Sequence, residues 1–505
     1  MTTGDAGACT PGTASERTPL LAATPVKPGT PVDRHLAIRL PPSLAGLDED
    51  ALQRMDRSVT RKVDTLLLPI LIILYILNFI DRNNVATANI GGMTVDLGMS
   101  AKDFSTAVSV LFISYISFQI PSNIVAARTS RPGIYICLMC ALWGAVSACT
   151  GAVRSFRGLV VCRLLLGVTE AAFFPGAMFL LTLFYTKKQM ALRAAILYTG
   201  SQFGNAFGGL FALACMQLEG YRGLRGWRWL FIVEGLLTVA AAFVFALIIP
   251  NRPESFGWLT PVERDRLKYV LEQDRFTKDA GDEIGSWDAF KLAVTDVKVW
   301  FVAAALTCNY IASGVVNFFP MVVKGLGFSD TTTLWLTSPP YLLCAVVISI
   351  VGWHSDKVQE RTMHVVVSFC VCIVAMVLAL TTTSFAPRYL AMMIMPSSFY
   401  SASIVMLSWM SSSIVGPSVK RAIAIALINS IDNSPNIWTP YLYFDPPRYT
   451  VAFIVNLVAS VLLIIVVLAK RQYLVKQNRK LDRGEDLGPN GPTRVQIEAG
   501  FRFQL

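Results

Sequence analysis

From Thr65 onward the chain alternates long apolar runs with short polar connections. The runs fall at about 65–84, 104–126, 133–153, 157–185, 191–215, 228–249, 299–321, 333–352, 363–383, 388–410, 419–441 and 449–469. A helix needs about 20 residues to cross roughly 30 Å of hydrocarbon, and it satisfies its own backbone there. The pattern therefore predicts an all-α membrane protein with twelve transmembrane helices in two six-helix bundles, 63–249 and 299–469. The polar stretch 250–298 between them predicts a central loop. Within it, Thr260 and Pro261 suit the N-cap and first position of a surface helix. Residues 1–62 and 470–505 are expected to be tails, the first disordered because it is rich in Thr, Pro, Ala and charge.

The basic residues orient this arrangement. Arg57, Arg61 and Lys62 precede the first run, and Arg128, Arg131, Lys187, Lys188, Arg193, Lys357, Arg361, Lys420, Arg421, Lys470 and Arg471 fall in alternate connections. Arg252, Arg264, Arg266 and Lys268 in the central loop join them. The opposite connections hold fewer, among them Lys102, Arg154, Arg157, Arg222, Arg225, Lys324 and Arg448. A bias of roughly two to three to one places both termini and the central loop in the cytosol.

Composition agrees with a membrane chain: 505 residues are 54% hydrophobic and only 15% charged, against about a quarter charged in soluble domains. The net charge of +11 is accounted for by the loop bias, so nucleic-acid binding is not expected. Cys137 and Cys140, like Cys370 and Cys372, have metal-like spacing but no accompanying His or carboxylate, and read as packed thiols. No cofactor is implied, and no metal cluster, nucleophile elbow or phosphate loop points to an enzyme.

Against this apolar background a few charges stand out. Asp81-Arg82-Asn83-Asn84 ends the first run, and Arg163 and Glu170 lie within the fourth. A charge inside a bilayer is costly unless it is paired or lines a wet cavity, and such residues usually mark function. The first helix reaches Asp81 after about 16 residues, or roughly 24 Å, and the fourth, running the other way, reaches Arg163 after roughly 9 Å. Glu170 is two turns further on along the same face. The set supplies both parts of a proton-coupled anion carrier: carboxylates able to exchange protons and guanidiniums able to hold an anion.

Longer stretches carry a resemblance. They include Glu170-Ala171-Ala172-Phe173-Phe174-Pro175-Gly176, Gly226-Trp227-Arg228-Trp229 through Glu234-Gly235, Phe319-Pro320, Pro339-Pro340-Tyr341 and Lys420-Arg421-Ala422. With Asp81-Arg82-Asn83-Asn84 they make residues 65–470 similar to the anion:cation symporter family of the major facilitator superfamily, in its fungal allantoate and nicotinate permease branch. The resemblance implies proton-driven uptake of a small organic anion or vitamin-like carboxylate by alternating access. It implies proton roles for Asp81 and Glu170, and anion contacts for Arg82 and Arg163. Asn205 and Asn309 are further substrate candidates, among polar residues of the spans that include Tyr115, Gln202, Tyr310 and Asn317. Gly352 through Arg361 resembles the superfamily's G-x-x-x-D-R/K-x-x-x-R loop, in which the Asp caps a helix and latches the gate, so Asp356, Lys357 and Arg361 are gating candidates. Glu234 is read as part of a packing motif.

The second half departs from the family pattern at Asp432, where a small residue is expected. Asp432, with Pro435 after it, is expected to break the eleventh helix and reshape the substrate site. The fold implies a monomer. The plasma membrane is the expected location, with the vacuolar membrane an alternative because Glu16-Arg17-Thr18-Pro19-Leu20-Leu21 has the acidic dileucine form. Export of a secondary metabolite, drug:proton antiport and a non-transporting sensor on the same scaffold stay open.

Overall fold

The structure is a computed structural model that describes residues 41–279, 285–382, 384–446, 448–492, 497 and 500–505. The dileucine stretch at 16–21 lies outside them. The described residues contain no strand. In chain order the first helices are α1 (Glu49–Ile90), α2 (Met93–Asp96), α3 (Ala101–Arg128), α4 (Pro132–Thr150), α5 (Phe156–Glu170), α6 (Phe173–Thr182), α7 (Lys187–Met216) and α8 (Gly226–Ile248). The central segment forms α9 (Pro261–Asp279) and α10 (Ser286–Thr295). Then come α11 (Val297–Ala312), α12 (Phe319–Lys324), α13 (Asp330–Val358), α14 (Thr362–Thr381), α15 (Phe385–Ser413), α16 (Ser418–Asn433), α17 (Pro435–Trp438) and α18 (Thr450–Asp482). Among the described residues, ten helical stretches are long and apolar enough to cross a membrane. Beside them, α7 packs on α1 and α13, and α16 packs on α11.

Helix pairs within each half form most of the packing: α4 with α8, α1 with α7 and α3 with α5 in the first, α14 with α15 and α11 with α18 in the second. The hydrogen bonds that join the halves are fewer. Gln202 meets Cys344, Asn205 meets Tyr400, and Ser338 donates to the Ala206 carbonyl. Ser105 donates to the Pro440 carbonyl, and Thr106 meets Tyr441. These contacts run from the helix middles to the end away from Glu49 and Asp482.

Three apolar runs become broken helices. Residues 171 and 172 separate α5 from α6, and Pro175 leaves the Ala171 carbonyl without its usual helical donor. A 3₁₀ stretch, Ser313–Phe318, separates α11 from α12. The break expected near Pro435 is present, since α16 ends at Asn433 and α17 begins at Pro435.

The expected tails need correction. Helix α1 starts at Glu49, with the Asp48 side chain accepting from the Ala51 N–H, so 49–62 is helix and not a disordered tail. It is held by α9, where Arg266 makes two 2.8 Å bonds to Asp56 and Lys62 reaches Glu263 at 2.8 Å. The N-cap expected at Thr260 forms, and Glu263 reciprocates it to close a capping box. At the other end α18 continues to Asp482, and the segment beyond folds back. Asn478 and Phe503 exchange two hydrogen bonds, Trp409 donates to the Gln504 carbonyl, and the Lys298 ammonium donates to the Asn490 carbonyl.

Several basic residues counted as loop charges are buried instead. The Lys420 ammonium is fully enclosed, 2.8 Å from Asp296. Asp296 also caps α11 and lies 3.2 Å from the Lys298 ammonium. Lys470 is buried over the Trp409 ring.

The α1–α9 contact has a pH consequence. Burial works against the Glu263 charge, but hydrogen bonds from Lys62, the Thr260 N–H and Ser58 outweigh it and hold the carboxyl below its usual range. Its folded pKa is thus depressed, so its contribution is complete above the ordinary carboxylate value and is lost as pH falls through the folded one. A spin-label pair at Arg54 and Lys268 is expected to keep one sharp distance from neutral pH to mildly acid pH, and to broaden below that. Broadening that begins near neutrality would contradict the assignment to Glu263.

Candidate functional site

Asp81 and Arg82 are neighbours in α1, and one helical step turns successive side chains by about 100°. They therefore face different partners. Arg82 turns toward α5, where its Nε donates to Glu170 Oε2 at 2.7 Å. Its guanidinium also lies over the Tyr115 ring of α3, 4.6 Å from the centroid. Glu170 is the last residue of α5, just before the break, and is fully buried.

Asp81 turns toward α4 and α8. Ser147 Oγ lies 2.6 Å from Asp81 Oδ1 and 2.8 Å from Glu234 Oε2, and Thr238 donates to Glu234 Oε1 at 3.1 Å. Both carboxyl groups are completely enclosed. The close approach of α4 and α8 makes this contact possible. A Cβ on Gly235 would lie 2.4 Å from the Gly144 carbonyl oxygen and the Ala148 nitrogen, so only glycine lets the two backbones meet.

Arg163 is buried in α5, and its Nε donates to the Ala107 carbonyl at 3.2 Å. Its Nη1 has no hydrogen-bond partner among the described residues. Arg163 and Arg82 line one cavity together with Val85, Val108, Phe112 and, from the second half, Asn317. A buried donor left unmatched costs about 1–3 kcal/mol, more when charged. The arrangement therefore favours an acceptor, and an anionic one, at that place.

The structure thus brings Asp81, Arg82, Arg163 and Glu170 together. Asn205 stands near them, accepting from Asn83 at 2.6 Å and reaching Tyr400 of α15 at 3.4 Å. Asn309 lies in the second half, where it donates to Ser403 at 2.7 Å. Asp432 is buried and accepts from Asn433 at 3.0 Å, with no bond to either arginine among the described residues. Asn317 links the cavity to the broken α16–α17 segment through Asn436 at 3.3 Å.

The gating candidates lie elsewhere, at the end of the molecule that carries Glu49 and Asp482. Asp356 pairs with Arg361 at 2.6 Å, and Lys357 lies over the Trp353 ring. Asp356 does not cap the next helix, as expected from the loop motif. A main-chain oxygen of Leu505 and the Glu360 carboxylate do so, the first accepting from the Arg361 and Thr362 N–H groups and the second from the Met363 N–H. Sequence reasoning did not single out Ser147, nor the contact through it between Asp81 and Glu234. The signal available was a carboxyl in the middle of an apolar run at 234, and its closeness to Gly235 drew it into a packing motif.

A sequence profile described as the Major Facilitator Superfamily matches residues 71–440. The chain belongs to the major facilitator superfamily. It is 30% identical over 429 residues to an uncharacterized transporter of Schizosaccharomyces pombe, covering 84% of each chain. The high-affinity nicotinic acid transporter of Saccharomyces cerevisiae is 27% identical over 443 residues, 86% of this chain and 82% of that one. Among solved structures, a bacterial homologue of the human lysosomal transporter Spinster, inward-facing and occupied, aligns with a TM-score of 0.63. That alignment covers 82% of this chain and 97% of the other at 17% identity, and so speaks to the fold alone. The chain is accordingly a multi-pass membrane transporter and not an enzyme.

Since glycine sets the α4–α8 spacing, Gly235→Ala is expected to force the helices apart, at an overpacking cost of about 1–3 kcal/mol. Thermal unfolding of the purified protein in detergent should show a clearly lowered midpoint. An unchanged midpoint would mean that the contact is not tight.

Proposed function

We propose that this transporter takes up a small organic anion, of the carboxylate class to which nicotinic acid belongs, together with protons. The observation that carries the reading is that Arg82 and Arg163 line one cavity, and that the buried Arg163 Nη1 has no partner among the described residues. A carboxylate matches the planar guanidinium fork, and a charge-assisted bond of this kind is worth about 1.5–3 kcal/mol. The similarity to a nicotinic acid transporter supports the same class.

Coupling follows from competition for Arg82. A substrate carboxylate that draws Arg82 away leaves Glu170 buried without its counter-charge, and a proton then keeps it there at lower cost than a bare charge. Asp81, beside Arg82, takes part in the same exchange. Asn205, Asn309 and Asp432 meet the rest of the substrate as the halves move about the site. The Asp356, Lys357 and Arg361 loop latches the gate at the end bearing Glu49 and Asp482. That end faces the cytosol in a plasma-membrane or vacuolar carrier that works as a monomer.

The test is uptake of labelled nicotinate and a panel of small carboxylates into cells expressing the protein, at a series of external pH values. Saturable uptake that rises with acidity is expected. Arg163→Gln should raise the half-saturating concentration on the order of tenfold to a hundredfold. Uptake indifferent to both pH and Arg163 would overturn the reading.

A further inference from the structure

The Asp81, Ser147 and Glu234 contact holds more than packing. A serine hydroxyl has one proton to donate and two lone pairs to accept with. Ser147 Oγ nevertheless lies 2.6 Å from one carboxyl oxygen and 2.8 Å from another. If both acids were ionised, one of these short contacts would set an acceptor against an acceptor. One carboxyl must therefore be protonated and donate to Ser147, while Ser147 donates to the other.

Charge balance gives the same answer. The first half encloses three carboxyls, Asp81, Glu170 and Glu234, with the Arg163 guanidinium, and the partly exposed Arg82 pairs with Glu170. One bound proton cancels the excess negative charge, which matters in an apolar medium where an uncompensated charge is costly. Glu170 already has Arg82 at 2.7 Å and Asp81 does not. The other titratable or charged groups facing the pair are Glu170 and Arg163 of α5, of opposite charge, and the Cys215 thiol of α7, which adds no negative charge.

We propose that Asp81 and Glu234, bridged by Ser147, form the proton-binding site of this transporter while Glu170 is ion-paired with Arg82. Glu234 is then a proton ligand and Ser147 a positioning residue that ties α1 to α4 and α8. The proposal rests on the proton-coupled reading above and adds the place where the proton resides. It also divides the labour: Arg82 and Glu170 respond to the substrate, and Asp81 and Glu234 store the proton that accompanies it.

Infrared spectroscopy of the purified full chain tests this without any substrate. The spectra are taken in the Asp432→Asn background, so that this buried carboxyl of the second half, which unlike Asp296 has no ion pair among the described residues, does not contribute. A protonated-carboxyl C=O band is expected at neutral pH and should be lost in Glu234→Gln. Ser147→Ala leaves every charge in place and should shift the band to higher frequency, because the carboxyl loses a hydrogen-bond partner. It also covers the case in which Glu234→Gln fails to fold. Absence of the band at neutral pH, or a band unmoved by Ser147→Ala, would overturn the proposal. If uptake proves indifferent to pH while the band behaves as expected, the symport reading fails and the proton site stands, so the two failures are distinguishable.

Discussion

Arg82 and Glu170 are 88 residues apart in the chain and 2.7 Å apart in the fold. Neither charge is tolerable alone in an apolar interior, and removing one partner of a buried pair costs about 3–5 kcal/mol. The pair therefore fixes the distance between α1 and α5, and much else follows from it. Tyr115 of α3 covers the open face of the guanidinium. Helix α5 ends immediately after Glu170. Asp81, one residue before Arg82, is turned into the α4–α8 contact, where glycines let the backbones close around it.

The two halves are chemically unlike. The first places its charges beside the cavity, whereas the second keeps Asp296, Lys298 and Lys420 together away from it and contributes the neutral Asn317 to its lining. The bonds between the halves are correspondingly neutral: hydroxyls, amides and carbonyls. Such bonds can be exchanged for water at little net cost, while the ionic framework within the first half stays intact. This contrast suits a carrier whose halves move relative to each other as units.

The helical plan was legible because a bilayer-crossing run is a strong and local signal. Hydropathy was blind to polar helix, however, and so missed the fourteen residues from Glu49 to Lys62, where the cap at Asp48 and docking on α9 stabilise a helix that no apolar run announces. The break at Pro435 was readable, since a proline removes a helical donor wherever it stands. Lys420 and Lys470 were misread as loop charges because their partners, Asp296 and Trp409, are far away in the chain. The contact of Glu234 with Ser147 was hidden for the same reason, since the two are 87 positions apart. Arg82, Arg163 and Glu170 stood out because a charge within an apolar run is visible in one dimension, and Ser147 did not because serine within a span is commonplace.

The central claim is that the Arg82–Glu170 ion pair is the constraint on which the first half is built. A double-mutant cycle on thermal stability of the purified protein addresses it directly, with Arg82→Gln, Glu170→Gln and the double variant. Each single change strands a buried charge, so the double variant is expected to be more stable than the sum of the two losses predicts. Strict additivity would show that the pair contributes no coupling, and would contradict the account.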